Sequence, residues 1–223
     1  MAKNAMRICA VSDMHGNLNF KVPEADLLLI AGDLCPAMHS AASCVHMQQD
    51  WLHSAFRFWL LDQPVTEVVA VAGNHDWIWE TSPQMIPELN TNFHYLEDDD
   101  ISILGLKIYG TPVQLPFNDW AFNREEKQIQ KYWDNIPEGL DILLLHSPPY
   151  GILDESHHSN YPPKRIGSES LLKKIKEVRP NVVVFGHNHG EHGIVEQDGI
   201  KYINASLLDE RYNMSKEPII IEI

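Results

Sequence analysis

Five times along this chain an apolar run ends abruptly in Asp, Asn or His. Residues 7–12 lead into Asp13-Met14-His15-Gly16, residues 27–31 into Gly32-Asp33-Leu34, and residues 67–72 into Gly73-Asn74-His75-Asp76. Residues 143–145 lead into His146-Ser147-Pro148-Pro149, and residues 182–185 into Gly186-His187-Asn188-His189-Gly190. Short apolar runs bounded in this way read as buried strands. In open α/β sheets ligands bind beyond the carboxyl ends of the strands. The pattern therefore predicts one site, assembled along one edge of the fold from segments far apart in sequence.

The intervening segments fit an α/β chain. Apolar and aromatic residues at helical spacing predict a helix over 41–61, between the second and third strands, and strand–helix–strand order suggests crossover units. Further helices are expected over 123–133 and 168–178. Residues 101–110 alternate and predict an antiparallel strand or hairpin, 141–145 and 181–185 predict buried strands, and 193–204 and 218–223 predict β structure with a turn at 197–199. No linker, repeat or low-complexity tract interrupts the chain, so residues 1–223 are expected to form one domain.

Charge narrows the partners. With 17 basic and 31 acidic residues the formal net charge is −14, which argues against duplex nucleic acid, where Lys and Arg supply most of the affinity. A small phosphate ester whose charge is met by bound metal is compatible with it. Glu97, Asp98, Asp99 and Asp100 are expected to form a solvated turn. Three cysteines, Cys9, Cys35 and Cys44, without a secretory leader suggest reduced thiols and a cytoplasmic setting. No apolar run approaches the length of a membrane span, and nothing in the sequence fixes an oligomeric state.

The residue types at the strand ends point to metal. In extended backbone, residues i and i+2 point the same way, so Asp13 with His15, and His187 with His189, are each expected to enter one space. Asp33 has two oxygens and can bridge two cations. Asn74 offers a neutral carbonyl oxygen, and its neighbour His75 should point to a different part of the site. Carboxylate together with imidazole suits Mn, Fe or Zn, whereas an all-oxygen cage suits Mg or Ca better. Burying seven such groups without a cation would leave them repelling one another near the core.

The ordered set SDMHG, GDL, GNHD, LLLHSPP and GHNHG resembles the calcineurin-like metallophosphoesterase superfamily, over most of the chain from Asp13 to His189. The segments GTPVQLPFNDWAFN, HSPPYGILD and INASL are similar to the metallophosphoesterase-domain-containing type of phosphodiesterase. The resemblance implies two packed mixed β-sheets flanked by helices and a two-metal site. Asp13, His15 and His189 would hold one metal, Asn74, His146 and His187 the other, and Asp33 would bridge them. The metals implied are manganese or iron(II), with zinc, magnesium or nickel as alternatives. His75 would be the general acid.

The activity implied is hydrolysis of phosphodiesters, nucleotide or cyclic-nucleotide ones first, through attack by a hydroxide bridging the two metals. Nuclease or phosphomonoesterase activity, or nucleotide binding with little turnover, are the alternatives. Where protein phosphatases of the superfamily carry GDxxDRG, Gly32-Asp33 here continues Leu-Cys-Pro-Ala, which lowers phosphoprotein as a substrate. Cys35, two residues past the bridge, is expected to be a buried inert thiol. Candidate substrate contacts are Asn74, His75, Trp120 and Arg165. Trp77, Trp79, Phe117 and Phe122 are further aromatics that either stack on a base or pack in the protein. Residues 152–167, with His157, His158, Lys164 and Arg165, form either a loop over the site or an exposed one. His39, His46, His53, His94 and His192 are expected to lie on the surface or on helices.

Overall fold

A computed structural model describes residues 5–37, 41–157 and 162–223. In chain order the first part comprises β1 (Arg7–Val11), β2 (Ala25–Ala31), α1 (Ala41–Trp51), a π-helical turn (Leu52–Phe56), α2 (Arg57–Leu61), β3 (Val65–Val71), α3 (Trp77–Thr81) and β4 (Phe93–Tyr95). The second comprises β5 (Asp99–Ile103), β6 (Leu106–Thr111), α4 (Glu126–Asp134), β7 (Ile142–Leu145), β8 (Glu155–Ser156), β9 (Lys164–Arg165), α5 (Glu169–Val178), β10 (Val182–Phe185), β11 (Gly193–Gln197), β12 (Ile200–Asn204) and β13 (Ile219–Glu222).

Two large mixed sheets result, ordered β13-β1-β2-β3-β4 and β11-β12-β10-β7-β6-β5. The alternation of side chains along a strand explains the layering. Leu27, Leu29 and Ala31 of β2, with Ile8, Ala10, Val69 and Val71 of its neighbours, face the second sheet and meet Ile108, Ile142, Leu144, Val182, Val184 and Ile203. Leu28 and Ile30 face the other way, onto Leu52, Phe56, Leu60 and Ile78 of the helical layer. In the second sheet Leu143, Leu145, Val183 and Phe185 likewise point outward, onto Ile129 and Trp133 of α4 and Leu171 and Ile175 of α5. The central strands are apolar on both faces because both are covered, which is why their sequences scarcely alternate in polarity. The architecture is the αββα sandwich that the resemblance implied.

Several local expectations change. The π turn divides the helix expected over 41–61. Residues 101–110 are a hairpin turning at Leu104 and Gly105, both in left-handed backbone. Asp99 and Asp100 open β5 rather than lying in a solvated turn, and half-buried Asp98 accepts a 2.5 Å bond from the Thr111 hydroxyl. The sequence reading missed α3, β4 and the β8–β9 ladder. Each has five residues or fewer, too short to show a period. No helix among the described residues is long and apolar enough to cross a membrane.

Leu144 lies wholly buried between the sheets. Leu144→Ala should cost about 2–5 kcal/mol through lost burial and the cavity left behind. Urea unfolding should show a lower midpoint with an unchanged slope.

Candidate metal centre

Strands β1, β2 and β3 of one sheet and β7 and β10 of the other end at the same edge of the sandwich. Their exits are tied together. Asp13 N–H donates to the Gly32 carbonyl at 3.0 Å, Leu207 N–H to Ser12 at 3.0 Å, and Gly186 N–H to His146 at 3.1 Å. Asp13, His15, Asp33 and His187 take left-handed backbone, with φ of +53°, +43°, +52° and +65°. The extended-chain geometry expected for the pairs 13/15 and 187/189 therefore does not apply. Left-handed turns past the strand ends aim these side chains, a conformation that non-glycine residues adopt rarely. The loops also press closely on one another. A Cβ at Gly186 would fall on the Ser12 hydroxyl and the Asp13 carboxylate, and one at Gly73 on Asp33.

The seven expected ligands come together in two groups joined by one oxygen. Asp33 Oδ2 lies 3.5 Å from His15 Nε2 and 3.5 Å from His146 Nε2. On one side His189 Nε2 is 3.2 Å from Asp13 Oδ1 and 3.3 Å from His15 Nε2. On the other, Asn74 Oδ1 is 2.9 Å from His146 Nε2 and 2.8 Å from His187 Nδ1. His146 Nδ1 faces the Ala31 carbonyl at 2.9 Å and His189 Nδ1 the Asp209 carbonyl at 3.1 Å. A carbonyl only accepts, so these Nδ1 atoms carry the hydrogens and each Nε2 turns a lone pair inward when the ring is neutral. Buried lone pairs facing lone pairs fit divalent cations. Asp13, His15 and His189, and Asp13, Asp33 and His146, each bring ligand atoms within 4.8 Å of one another.

Burial sets the electrostatics. It pulls His15 well below the usual imidazole range, with help from His75, lowers His146, and takes His187 down to about 3, with His146 adding to the effect. For His189 burial works the same way but is outweighed by the Asp13 hydrogen bond and charge, so its pKa rises. Burial would raise Asp13, yet the hydrogen bond and charge of His189 hold it well below the carboxylate range. Asp33 goes up, through burial and then the charges of Asp76 and Asp13.

A second layer of contacts, which sequence reasoning left unassigned, fixes the first. Fully buried Asp76 accepts from the backbone N–H groups of Gly73 at 2.7 Å, Cys35 at 2.8 Å and Leu34 at 3.1 Å, clamping the second and third loops together. Burial lifts its pKa to about 6 against those three bonds. The Ser206 hydroxyl donates to Asp13 Oδ2 at 2.7 Å. Asn188 faces away from the cluster, and its amide donates to the Leu153 and Glu155 carbonyls. Asp76 had a signal, its place inside a motif. Ser206 had one too, inside INASL, whereas Asp209 had none, because only the fold brings its carbonyl to the site.

His75 sits beside the cluster, its ring 4.9 Å from that of His15 and 4.1 Å from that of Trp120. Its N–H donates to Asp33 Oδ1 at 2.7 Å and its carbonyl accepts from Gln48 at 2.7 Å. A cavity of about 110 Å³ opens here, and its lining includes Asp33, Asn74, His75, Phe117, Trp120 and His187. Trp77, Trp79 and Phe122 are instead buried in the core. Ser156 and Ile166 reach the cavity, so part of 152–167 borders the site. Arg165 is engaged elsewhere, at 2.6 Å from buried Asp154 and 3.7 Å from Glu155, and does not line the cavity. His94 pairs with Glu67 and His192 with the Ser206 carbonyl, while His39 and His158 lie outside the described residues. Cys35 is buried and its thiol pKa is raised, by burial and then Asp76.

A two-sheet sandwich with Asp, Asn and His gathered from the strand ends of both sheets defines a metal-centred α/β protein. The family model for calcineurin-like phosphoesterases matches residues 6–191. The chain belongs to that family. It is 31% identical over 246 residues to human metallophosphoesterase domain-containing protein 1, covering 97% of this chain and 71% of that protein, and the mouse protein gives the same figures. Among solved structures, phosphopantetheinyl hydrolase from Mycobacterium tuberculosis shares the fold, with a TM-score of 0.57 at 13% identity, over 97% of this chain and 95% of that one.

Protons compete with metal where a ligand's pKa is raised. His187, at about 3, carries no proton to lose in ordinary buffers, whereas His189 and Asp33 hold theirs to higher pH than usual. Manganese affinity, measured by calorimetry between pH 8 and pH 5, should fall as pH falls. Imidazole NMR of the metal-free protein should show His189 titrating above the usual imidazole pH and His187 far below it.

Proposed function

We propose that this chain is a two-metal phosphodiesterase acting on small phosphodiesters, nucleotide and cyclic-nucleotide ones first. The observation that carries the reading is the position of Asp33 Oδ2, equidistant from a histidine of each ligand group. Asp13, His15 and His189 would hold one cation, Asn74, His146 and His187 the second, and Asp33 both. Manganese or iron(II) suits this mixture of carboxylate, amide oxygen and imidazole. When bound, a pair of divalent cations supplies Lewis acidity to phosphoryl oxygens and acidifies water at neutral pH.

The chain's own residues do the rest. Asp13 is held ionised, and the Ala31 and Asp209 carbonyls fix the tautomers of His146 and His189. His75, on the cavity wall next to the cluster, would give a proton from its ring to the leaving alkoxide. Its position is set by Asp33 and Gln48 through the backbone, and by Trp120 against the ring. Asn74 and Trp120 border the space where the ester would sit. The net charge of −14 disfavours long polynucleotides and leaves small esters as the better substrates. Buried Cys9 and Cys35, with no disulfide between them, fit a reducing, cytoplasmic setting.

His75→Ala should retain bound metal, measured by elemental analysis. Its turnover should drop about 10²–10⁴-fold on a diester with a poor leaving group, and much less on bis-p-nitrophenyl phosphate, which needs no proton. Equal losses on the two would remove His75 as the acid. Asp33→Asn should lower the occupancy of both cations together. Loss of one alone would show that Asp33 does not bridge.

A further inference from the structure

Tyr212 lines the same cavity as Phe117 and Trp120, and nothing in the sequence pointed to it. It stands on a turn of residues 209–213, past the last residue that the family model matches. That turn is tightly made. Asp209 Oδ1 accepts from the N–H groups of Arg211 at 2.8 Å and Asn213 at 2.9 Å, and the Asp209 carbonyl accepts the Tyr212 N–H at 2.9 Å. The Asp209 carbonyl also faces His189 Nδ1, so the turn is tied to the metal centre itself. At its tip Tyr212 takes left-handed backbone, φ +61°. For a bulky side chain this is a genuine outlier, and such outliers concentrate at ligand clamps.

The strained turn aims the ring rather than hiding it. Tyr212 remains 48% exposed, with its ring centre 5.0 Å from that of His15 and 5.0 Å from that of His189. Phe117 stands against the other ligand group, 5.6 Å from His187 and 5.2 Å from Trp120, which in turn lies 4.1 Å from His75. Aromatic rings thus border the cluster over both of its halves. The space they line is about 110 Å³. A cavity of about 150 Å³ takes up one benzene, so this space is on the scale of a single flat ring.

We propose that Tyr212 is a specificity-determining residue, forming with Phe117 and Trp120 a cleft that selects phosphate esters carrying a flat aromatic group over aliphatic ones. The proposal rests on the phosphodiesterase reading for its biological meaning but is tested by binding alone. Stacking works through the ring, so Tyr212→Phe should preserve selection and Tyr212→Ala should abolish it.

The test is calorimetry of the manganese-loaded protein with phenyl phosphate and cyclohexyl phosphate, which differ in the flatness of one six-membered ring. Wild type and Tyr212→Phe should bind the phenyl ester about tenfold more tightly, in line with base–aromatic stacking. Tyr212→Ala should lose that preference, the phenyl ester weakening about tenfold more than the cyclohexyl ester, with manganese content unchanged. Equal affinities in wild type, or a preference that survives in Tyr212→Ala, would overturn the proposal. So would a parallel loss for both esters, since that would mark Tyr212 as structural. Absence of diester turnover with the binding preference intact would overturn the phosphodiesterase reading and leave the cleft standing.

Discussion

The contact on which the site depends is a repulsive one. Asp33 Oδ2, His15 Nε2, His146 Nε2 and His189 Nε2 crowd together in a buried space, and the Ala31 and Asp209 carbonyls take the hydrogens of two of the rings away on the far side. In water each lone pair would be solvated. Here each loses that solvation and faces another of its kind, a penalty of several kcal/mol if nothing positive intervenes. Protons relieve only part of it, through the Asp13–His189 pair and the raised pKa of Asp33. The fold therefore holds these groups in place against their own preference, and much of the surrounding structure can be understood as the means of holding them.

That means has three parts. The sheets are bound through a buried apolar cluster, so the strand ends that carry the candidate ligands are held firmly relative to one another. Left-handed turns immediately beyond those ends swing Asp13, His15, Asp33 and His187 inward, at a backbone cost of order 1–3 kcal/mol each. Gly73 and Gly186 let neighbouring loops approach to where any side chain would strike Asp33 or Asp13. Asp76 closes the arrangement: one carboxylate takes three N–H groups from two loops that would otherwise be left with unsatisfied donors.

The layers and the clustering of the candidate ligands were legible because they rest on local sequence. Runs such as residues 27–31 are apolar on both faces, and the Asp, Asn and His at their ends are confined to a few short motifs. What was illegible depends on the fold's bringing distant chain together. Ser206 reaches Asp13 across 193 residues, and Asp209 meets His189 with a backbone carbonyl, which no residue type announces. Arg165 illustrates the opposite case. Its charge suggested phosphate, but the same loop supplies Asp154 as a buried counter-ion eleven positions away. Extended-strand geometry brought these histidines together through a backbone the chain does not adopt there, since the turn after Phe185 had no visible signature beyond Gly186.

The two halves of the cluster are also built differently. His146 and Asn74 are enclosed in the protein, and the proton on His146 is held by the backbone of β2, a central strand. His189 is braced by residues 209–216 instead: the Asp209 carbonyl accepts from its ring, and Lys216 Nζ donates to its carbonyl as well as to that of Leu208 at 3.0 Å. One half thus draws its rigidity from the sheet core and the other from a turn at the rim. Asp33, touching a histidine of each, makes any displacement on the rim side an electrostatic change on the core side. The 209–213 turn is therefore a structural support of the centre as well as a wall of the cavity, because the same Asp209 carbonyl that anchors the turn at Tyr212 N–H also faces the His189 ring.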